Sequence, residues 1–179
     1  MRKLKMSELN RISVQEFKVS QKLPVIIVLD NIRSQNNIGS IFRTADAFRC
    51  TAIYLCGITA TPPHREIQKS ALGATESVTW KYYRDTLETI QDLKAANYKI
   101  YAVEQTDKSI LLNDFEPDFQ SGIAVIFGNE VAGIDDKVLA EVSGCVEIPQ
   151  SGTKHSLNIS IAAGIVLWHL YQKGKKFFM

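Results

Sequence analysis

Short runs of β-branched and other apolar residues, each followed by a helix-like segment, are what most constrain the fold of this chain. Five such runs lie at residues 25–30, 51–56, 99–104, 122–128 and 144–149. Because several of them are apolar almost throughout, they predict strands that are buried on both faces. Strands that alternate with helices imply right-handed crossovers and a parallel sheet covered on both sides. The predicted fold class is therefore α/β.

The helix-like segments are of two kinds. Residues 37–48 and 85–97 have an apolar stripe on one face, and Asp85 can act as an N-cap for the second of them. Residues 156–171 are apolar almost all round, and residues 162–164 form a small-residue face. This last pattern predicts burial on several sides, in the core of one subunit, against a partner subunit, or both.

The length of 179 residues fits one domain, and 45% hydrophobic with 22% charged residues is typical of a soluble globular protein. We expect no membrane partner, because no apolar run is long enough to span a bilayer, and the N-terminal residues lack the apolar region of a signal peptide. The three cysteines show no metal-binding or CxxC spacing. They predict buried, reduced thiols in a cytoplasmic protein without a metal.

Charge is distributed unevenly along the chain, although the net charge is only +2. Residues 1–22 hold six Lys/Arg and two Glu, and the last seven residues hold three Lys, which gives +4 and +3 for the two ends and −5 for the body. The division that follows is a basic arm at 1–22, a domain at 23–172 and a basic tail at 173–179. Basic ends can attract a phosphate backbone, and ordinary solubilising termini are the alternative.

Three segments follow predicted strands, where open parallel sheets bind their ligands. In the first, Asn37 is predicted to cap a helix and Gly39 to let another chain segment approach closely. Arg43 lies on the second turn of that helix. Taken alone, it has the pattern of a solvated helix arginine.

The second segment is a tight turn that contains Gly128, Asn129, Glu130 and Gly133. Its N–H groups are predicted to be exposed and able to bind a polar ligand. It matches neither the Walker loop nor the dinucleotide fingerprint. A simple strand-to-helix turn with a solvated Glu130 is the alternative.

In the third segment, Pro149 ends a strand and Ser156 or Asn158 opens the apolar helix. An amide at the start of such a helix needs a partner, whether structural or substrate. His155 is predicted to be a surface loop histidine, because no carboxylate is visibly paired with it.

In this order, "NNIGSIFRTA", "FGNEVAGI" and "IPQSGTKHSLNISIAAGIVLW" resemble the three successive motifs of the SpoU/TrmH family of RNA ribose 2′-O-methyltransferases. This family belongs to the trefoil-knotted SPOUT superfamily. The resemblance extends from about residue 23 to residue 171, and "KSALGA" at 69–74 is similar to the family segment ahead of the third strand. It implies a deep C-terminal knot, bound S-adenosylmethionine, an RNA substrate and a homodimer with its active site at the interface.

The resemblance also assigns roles to individual residues. Arg43 becomes the catalytic arginine, supplied across the dimer interface, and Asn37 helps to position it or the ribose. Glu130 lies beside the active site, and Ser156 and Asn158 complete its polar surroundings. The cofactor is expected to contact the backbone at five positions: Val103, Glu104, Gly128, Ile148 and Leu157.

One residue departs from the family pattern, because Gln150 stands where the family usually has Met. This leaves the reaction class unchanged and affects fine specificity. An RNA-binding protein without turnover, a flavodoxin-like nucleotide-binding enzyme and a base methyltransferase of the same superfamily are the alternatives. Short basic arms on a near-minimal domain favour transfer RNA as the substrate, with ribosomal RNA as the alternative.

Overall fold

A computed structural model, which describes residues 1–177, contains one sheet of seven strands in the order β3-β2-β1-β6-β4-β7-β5. Every pair of neighbouring strands is parallel. The strands are β1 (Leu23–Asp30), β2 (Cys50–Cys56), β3 (Thr79–Tyr83), β4 (Tyr98–Val103), β5 (Ile110–Leu111), β6 (Gly122–Phe127) and β7 (Gly144–Glu147). The five runs predicted from the sequence are β1, β2, β4, β6 and β7.

Helices connect the strands. They are α1 (Val14–Val19), α2 (Gln35–Ala47), α3 (Arg65–Ala71), α4 (Ala74–Ser77), α5 (Thr86–Ala95), α6 (Asp136–Leu139) and α7 (Ile159–Gly174). Short 3₁₀ turns lie at Met6–Glu8, Leu112–Asp114 and Lys175–Phe177. Asp85 caps α5 as predicted, because its side chain accepts a hydrogen bond from the Leu87 N–H at 3.0 Å.

The core lies on both faces of the sheet, because side chains of a strand alternate between them. Val25, Ile27 and Leu29 of β1 pack with α2 and α7, whereas Ile26 and Val28 pack on the opposite face with α5 and α6. The central strands are therefore buried on both sides, and the α/β prediction is confirmed. No helix in the described part of the chain is long and apolar enough to cross a membrane.

The sequence runs did not reveal β3 or β5. The residues of β3 are half-exposed or exposed, since this strand forms one edge of the sheet, and β5 has only two residues at the other edge. Neither strand has the continuous apolar run that marks a central strand. The segment at 69–74 does precede β3, which is the third strand of the chain.

The start of α2 differs from its prediction. Ser34 is the N-cap and accepts a hydrogen bond from the Asn37 N–H at 3.3 Å, so the capping role predicted for Asn37 is wrong. The apolar stripe of α2 is buried as expected, and Gly39 does permit close packing. A Cβ on Gly39 would lie 2.1 Å from Ser70 Oγ and 2.4 Å from the Ile67 carbonyl oxygen of α3.

The apolar helix α7 is buried on one face within a single chain, and burial of its other face against a partner subunit stays a prediction. Asn158 rather than Ser156 is its N-cap. One face packs into the core through residues such as Ala163, while Ile161, Ile165 and Trp168 on another face are 56%, 38% and 52% exposed. A helix with this composition therefore leaves an apolar surface open, because its sequence is apolar on two faces.

The segment between β5 and β6 packs across the outer side of α7. The Phe115 carbonyl lies 2.8 Å from His169 Nε2, and Lys173 forms an ion pair with Glu116. Strand β7 lies between β4 and β5 in the sheet, so the chain leaves an interior strand before it forms α7. The trefoil knot itself stays a prediction.

The two ends and the cysteines complete the fold. Within the basic arm, α1 anchors the chain through the buried Phe17. The predicted tail begins inside α7, and residues 178 and 179 of it lie outside the described part of the chain. Cys50 and Cys56 are buried free thiols, and burial raises the pKa of Cys50 to about 12 and that of Cys56 to about 11. Cys145 is only half-buried, so burial was predicted correctly for two of the three.

Candidate functional site

The three motif segments meet at the carboxyl edge of the sheet. Strands β1 and β6 are neighbours, and β4 separates β6 from β7. The loops that leave these strands therefore lie side by side, although they are far apart in sequence. Ligands of open α/β sheets bind at this edge.

A cavity of about 430 Å³ opens between the end of β4, the turn after β6 and the loop after β7. This volume lies within the range of cavities that hold a small molecule or cofactor. All five residues predicted to contact the cofactor line it, as do Glu130, Ser156 and Asn158. Gln150 and His155 also face this cavity, so the position that departs from the family pattern is part of its wall.

The turn after β6 is held by its own Asn129. The Asn129 Oδ1 accepts hydrogen bonds from the Val131 and Ala132 N–H groups, while its Nδ2 donates to the Asn31 carbonyl at 2.7 Å. Gly133 has a φ of +69° and pairs with Asn129 through two backbone hydrogen bonds. The prediction that the N–H groups of this turn are open to a ligand is therefore wrong for these residues. The turn is a rigid wall tied to the end of β1.

Glu130 joins that turn to the beginning of α2. Its two carboxylate oxygens accept hydrogen bonds from the Arg33 and Ser34 N–H groups, both at 3.1 Å. Partial burial acts to raise the pKa of the Glu130 carboxyl, but the donors at the start of α2 outweigh it and hold this pKa below its ordinary value. Glu130 is therefore an ionised hydrogen-bond acceptor, not a proton donor, at neutral pH.

A chain of side-chain hydrogen bonds runs from Glu130 to the start of α7. Asn37 donates through Nδ2 to Glu130 Oε1 at 3.5 Å, and its Oδ1 accepts from Asn158 Nδ2 at 3.2 Å. Asn158 in turn accepts from the Ser160 N–H at 2.9 Å, which fixes the orientation of its amide. Three predicted site residues, one from each motif, are thus brought together at the mouth of the cavity.

Arg43 is not part of this constellation within one chain. It lies six residues after Asn37 on α2, which places it about 9 Å farther along the helix axis and on a different side of the helix. Its side chain is exposed, and it makes no hydrogen bond or ion pair with any residue in the range 1–177. The chain therefore assembles the cavity and its polar edge without this arginine.

Two contributions to the site were not anticipated. Gln105 Nε2 donates to the His155 carbonyl at 3.2 Å, which ties the loop after β4 to the loop after β7 across the cavity. Glu147 lines the cavity and accepts a hydrogen bond from the Ser109 hydroxyl. Neither residue carries a local sequence signal, because each is defined by a contact with a loop 38 or 50 residues away. The His155 side chain stays exposed at the surface of its loop, as expected.

The parallel sheet and the cavity at its carboxyl edge define an α/β protein that binds a small ligand, and comparison with known sequences identifies the family. The sequence profile of the SpoU rRNA Methylase family matches residues 24–168. This chain belongs to the SpoU family.

Relatives of known function and structure share most of the chain. The tRNA (guanosine(18)-2′-O)-methyltransferase of Thermus thermophilus is 26% identical over 171 residues, which cover 95% of this chain and 86% of that protein. The 23S rRNA (guanosine-2′-O-)-methyltransferase of Neisseria meningitidis is 30% identical over 144 residues, 80% of this chain and 56% of that one. The AdoMet-bound rRNA methyltransferase of Sinorhizobium meliloti superposes with a TM-score of 0.77 at 26% identity, covering 86% of this chain and 60% of that one. The chain thus spans less than two thirds of the last two.

Proposed function

We propose that this protein transfers a methyl group from S-adenosylmethionine to a ribose 2′-hydroxyl in RNA. The observation that carries the proposal is the hydrogen-bonded chain of Glu130, Asn37 and Asn158 at the mouth of the cavity. These residues come from three motifs that are separated by 93 and 121 positions in sequence. A protein that only binds RNA does not need this arrangement beside a cavity of cofactor size.

The cavity suits a cationic cofactor with apolar parts. Val103, Ile148 and Leu157 supply apolar surface. Three carboxylates, those of Glu104, Glu130 and Glu147, give the lining a negative charge that favours a cation. S-adenosylmethionine, when bound, supplies an electrophilic methyl group on a positively charged sulfur.

Within this proposal, Arg43 holds the phosphate next to the target ribose. A guanidinium remains protonated in proteins and is a poor base, but its planar fork binds a phosphate through two parallel hydrogen bonds. A positive charge beside the ribose also favours ionisation of the 2′-hydroxyl. Glu130 is a weak base because its pKa is lowered. The hydroxyl proton therefore passes to water or to a phosphate oxygen.

The remaining residues position the substrate. The Asn37 amide is fixed at both ends by hydrogen bonds, so its second N–H can point to the ribose without rearrangement. Ser156 lines the cavity with an exposed hydroxyl that can donate or accept a hydrogen bond. Precise positioning matters because methyl transfer requires the reacting atoms to align at about 3–3.5 Å.

The active unit in this proposal is a homodimer. Ile161, Ile165 and Trp168 form an exposed apolar stripe on α7 at helical spacing. Burial of this stripe against a second copy stabilises both subunits. Such a dimer also brings Arg43 of one subunit to the cavity of the other, which explains why Arg43 stands away from the cavity of its own chain.

We favour transfer RNA as the substrate, with ribosomal RNA as the second candidate, and a cytoplasmic location. The relative from Thermus thermophilus, whose name specifies a transfer RNA, is covered over 86% of its length, whereas the two relatives named for ribosomal RNA contain more than a third of additional chain. A domain of this size with short basic ends suits a compact folded RNA.

The test is to label unfractionated transfer RNA and ribosomal RNA with the protein and methyl-labelled S-adenosylmethionine, then digest each RNA completely. A 2′-O-methyl group blocks cleavage of the adjacent phosphodiester, so label in nuclease-resistant dinucleotides is the expected result. Label in mononucleotides would instead identify a base methyltransferase. Calorimetry adds a control without turnover: S-adenosylhomocysteine binds, whereas FMN and ATP do not.

A further inference from the structure

A second cavity lies at the opposite end of α2 from the one described above. It has a volume of about 260 Å³ and opens between the C-terminal end of α2, α4 and the N-terminal arm. Its walls are formed by Asn10, Arg11, Ile12, Ser13, Val14, Phe17, Asp46, Ala47, Arg49 and Ser77. The arm is therefore one wall of a cavity and not a loose extension.

Positive charge dominates this cavity. Arg11 and Arg49 line it, and within residues 1–177 neither guanidinium makes a hydrogen bond or an ion pair. The single carboxylate of the lining, Asp46, accepts a hydrogen bond from the Ser77 hydroxyl. Lys22 is close to Arg49 and partly buried. This burial, together with the positive charge of Arg49, lowers the pKa of the Lys22 ammonium group.

The same face of α2 connects this cavity to Arg43. Ala47 lines the cavity and follows Arg43 by four residues, so the two lie on one side of the helix, about 6 Å apart along its axis. Arg49, just beyond the C-terminal end of α2, and Arg11 of the arm line the cavity, and Arg43 lies one turn before Ala47 on α2.

We propose that the second cavity binds a phosphate group of the substrate RNA. This inference rests on the proposed function, because it takes Arg43 as the residue that meets the target. Two guanidinium groups can hold one phosphate through charge-assisted hydrogen bonds. The arm then acts as a built part of the RNA-binding surface.

The double variant R11Q/R49N removes both charges. Arg49 has a φ of +50°, and Asn is the residue other than Gly that tolerates this conformation best, so the turn after α2 is preserved. The matched control is R84Q/K137Q, which removes two exposed positive charges, one just before α5 and one within α6, on the other side of the sheet. Circular dichroism melts of the two double variants verify that both are folded.

Filter binding of unfractionated transfer RNA over a series of salt concentrations is the measurement. We expect R11Q/R49N to weaken binding about tenfold and to reduce the slope of log K against log[salt] by about 1, the value for one lost phosphate contact. Affinity for S-adenosylhomocysteine should not change. Equal losses in R11Q/R49N and R84Q/K137Q would overturn the proposal, since they would indicate only a general charge effect.

A small phosphate ligand is distinguished from the RNA backbone by calorimetry with inorganic phosphate. If phosphate binds the wild type and not R11Q/R49N, while both bind RNA equally, the cavity serves a free anion and the RNA assignment is wrong. Binding of RNA does not require turnover, so this experiment can succeed or fail independently of the methylation assay.

Discussion

The two halves of α2 differ in how much of their surroundings one chain supplies. At its start, Asn37 is bonded on one side to Glu130 and on the other to Asn158. Two turns later, Arg43 extends from the same helix into solvent, and the neighbouring α7 exposes Ile161, Ile165 and Trp168. One subunit therefore completes the cavity beside Asn37, whereas Arg43 and the apolar stripe of α7 stay exposed on the surface of that subunit. If the proposed function is right, cofactor binding requires one subunit and RNA binding requires two.

The largest loss of turnover is expected from R43K, in the C-terminal half of α2. This substitution keeps the positive charge but removes the planar guanidinium. If Arg43 clamps a phosphate, turnover falls by about 100-fold or more, as when a donor is removed from a charge-stabilising site. Affinity for S-adenosylhomocysteine, measured by calorimetry, should stay within about twofold because the proposed partner of Arg43 is a phosphate of the RNA and not the cofactor. Near-normal turnover of R43K would contradict the proposal that Arg43 holds a phosphate through its planar guanidinium.

A smaller loss of turnover is expected from E130Q, which alters the hydrogen bonds at the N-terminal half of α2. The carboxylate accepts two N–H groups at the start of α2, and a neutral amide can accept with only one of its two ends. Turnover should fall by about tenfold, since charge-assisted hydrogen bonds contribute about 1.5–3 kcal/mol each and partial exposure reduces this. N37D is the companion variant. It places a like charge beside Glu130 and should lower activity further, and unchanged activity in both would show that this half is not part of the site.

The sequence predicted the parts of this comparison that depend on local pattern. The stripe of Ile38, Ile41 and Phe42 defines α2 because the helical period repeats within a few residues. The cap was misassigned because Ser34 and Asn37, three residues apart, are both good capping residues and only the backbone conformation of Ser34 separates them. The edge strands β3 and β5 were not predicted, because they lack the continuous apolar run of a strand that is buried on both faces.

The polar chain across the site is non-local and could not be read from periodicity. The contacts of Asn37 with Glu130 and Asn158 span 93 and 121 residues. The resemblance to the family assigned those residues to one site, and all three lie at one edge of the sheet. The contact of Gln105 with His155 had no comparable signal, because a loop glutamine has no preferred partner.

Complementation between two inactive variants tests whether the halves belong to different subunits. R43A and N158A each disable one half. If Arg43 serves the cavity of its partner, co-refolding equal amounts gives half mixed dimers, each with one intact site of two, so activity recovers to about a quarter of the wild-type value. If Arg43 serves its own cavity, no mixed dimer contains an intact site and activity does not recover. W168E, which places a charge on the exposed stripe of α7, is the control that should abolish recovery by preventing association.

The smallest expected effect is a pH dependence of the melting temperature that comes from Glu130, at the N-terminal half of α2. The pKa of Glu130 is lower in the folded protein than its ordinary value, so the folded state binds this proton less readily than the unfolded state does. The resulting stabilisation is present above the ordinary pKa and is lost as the pH falls through the folded-state pKa. At pH 7 the wild type should melt about 1–2 °C above E130Q, a small value because the carboxylate is exposed. As the pH falls below the ordinary glutamate pKa of about 4.3 this difference should shrink, and it should vanish once the carboxyl is protonated in the folded state too, since the wild-type carboxyl and the amide of the variant are then both neutral. A melting difference that persists unchanged at pH 3 would show that the ionised form of Glu130 does not stabilise the start of α2.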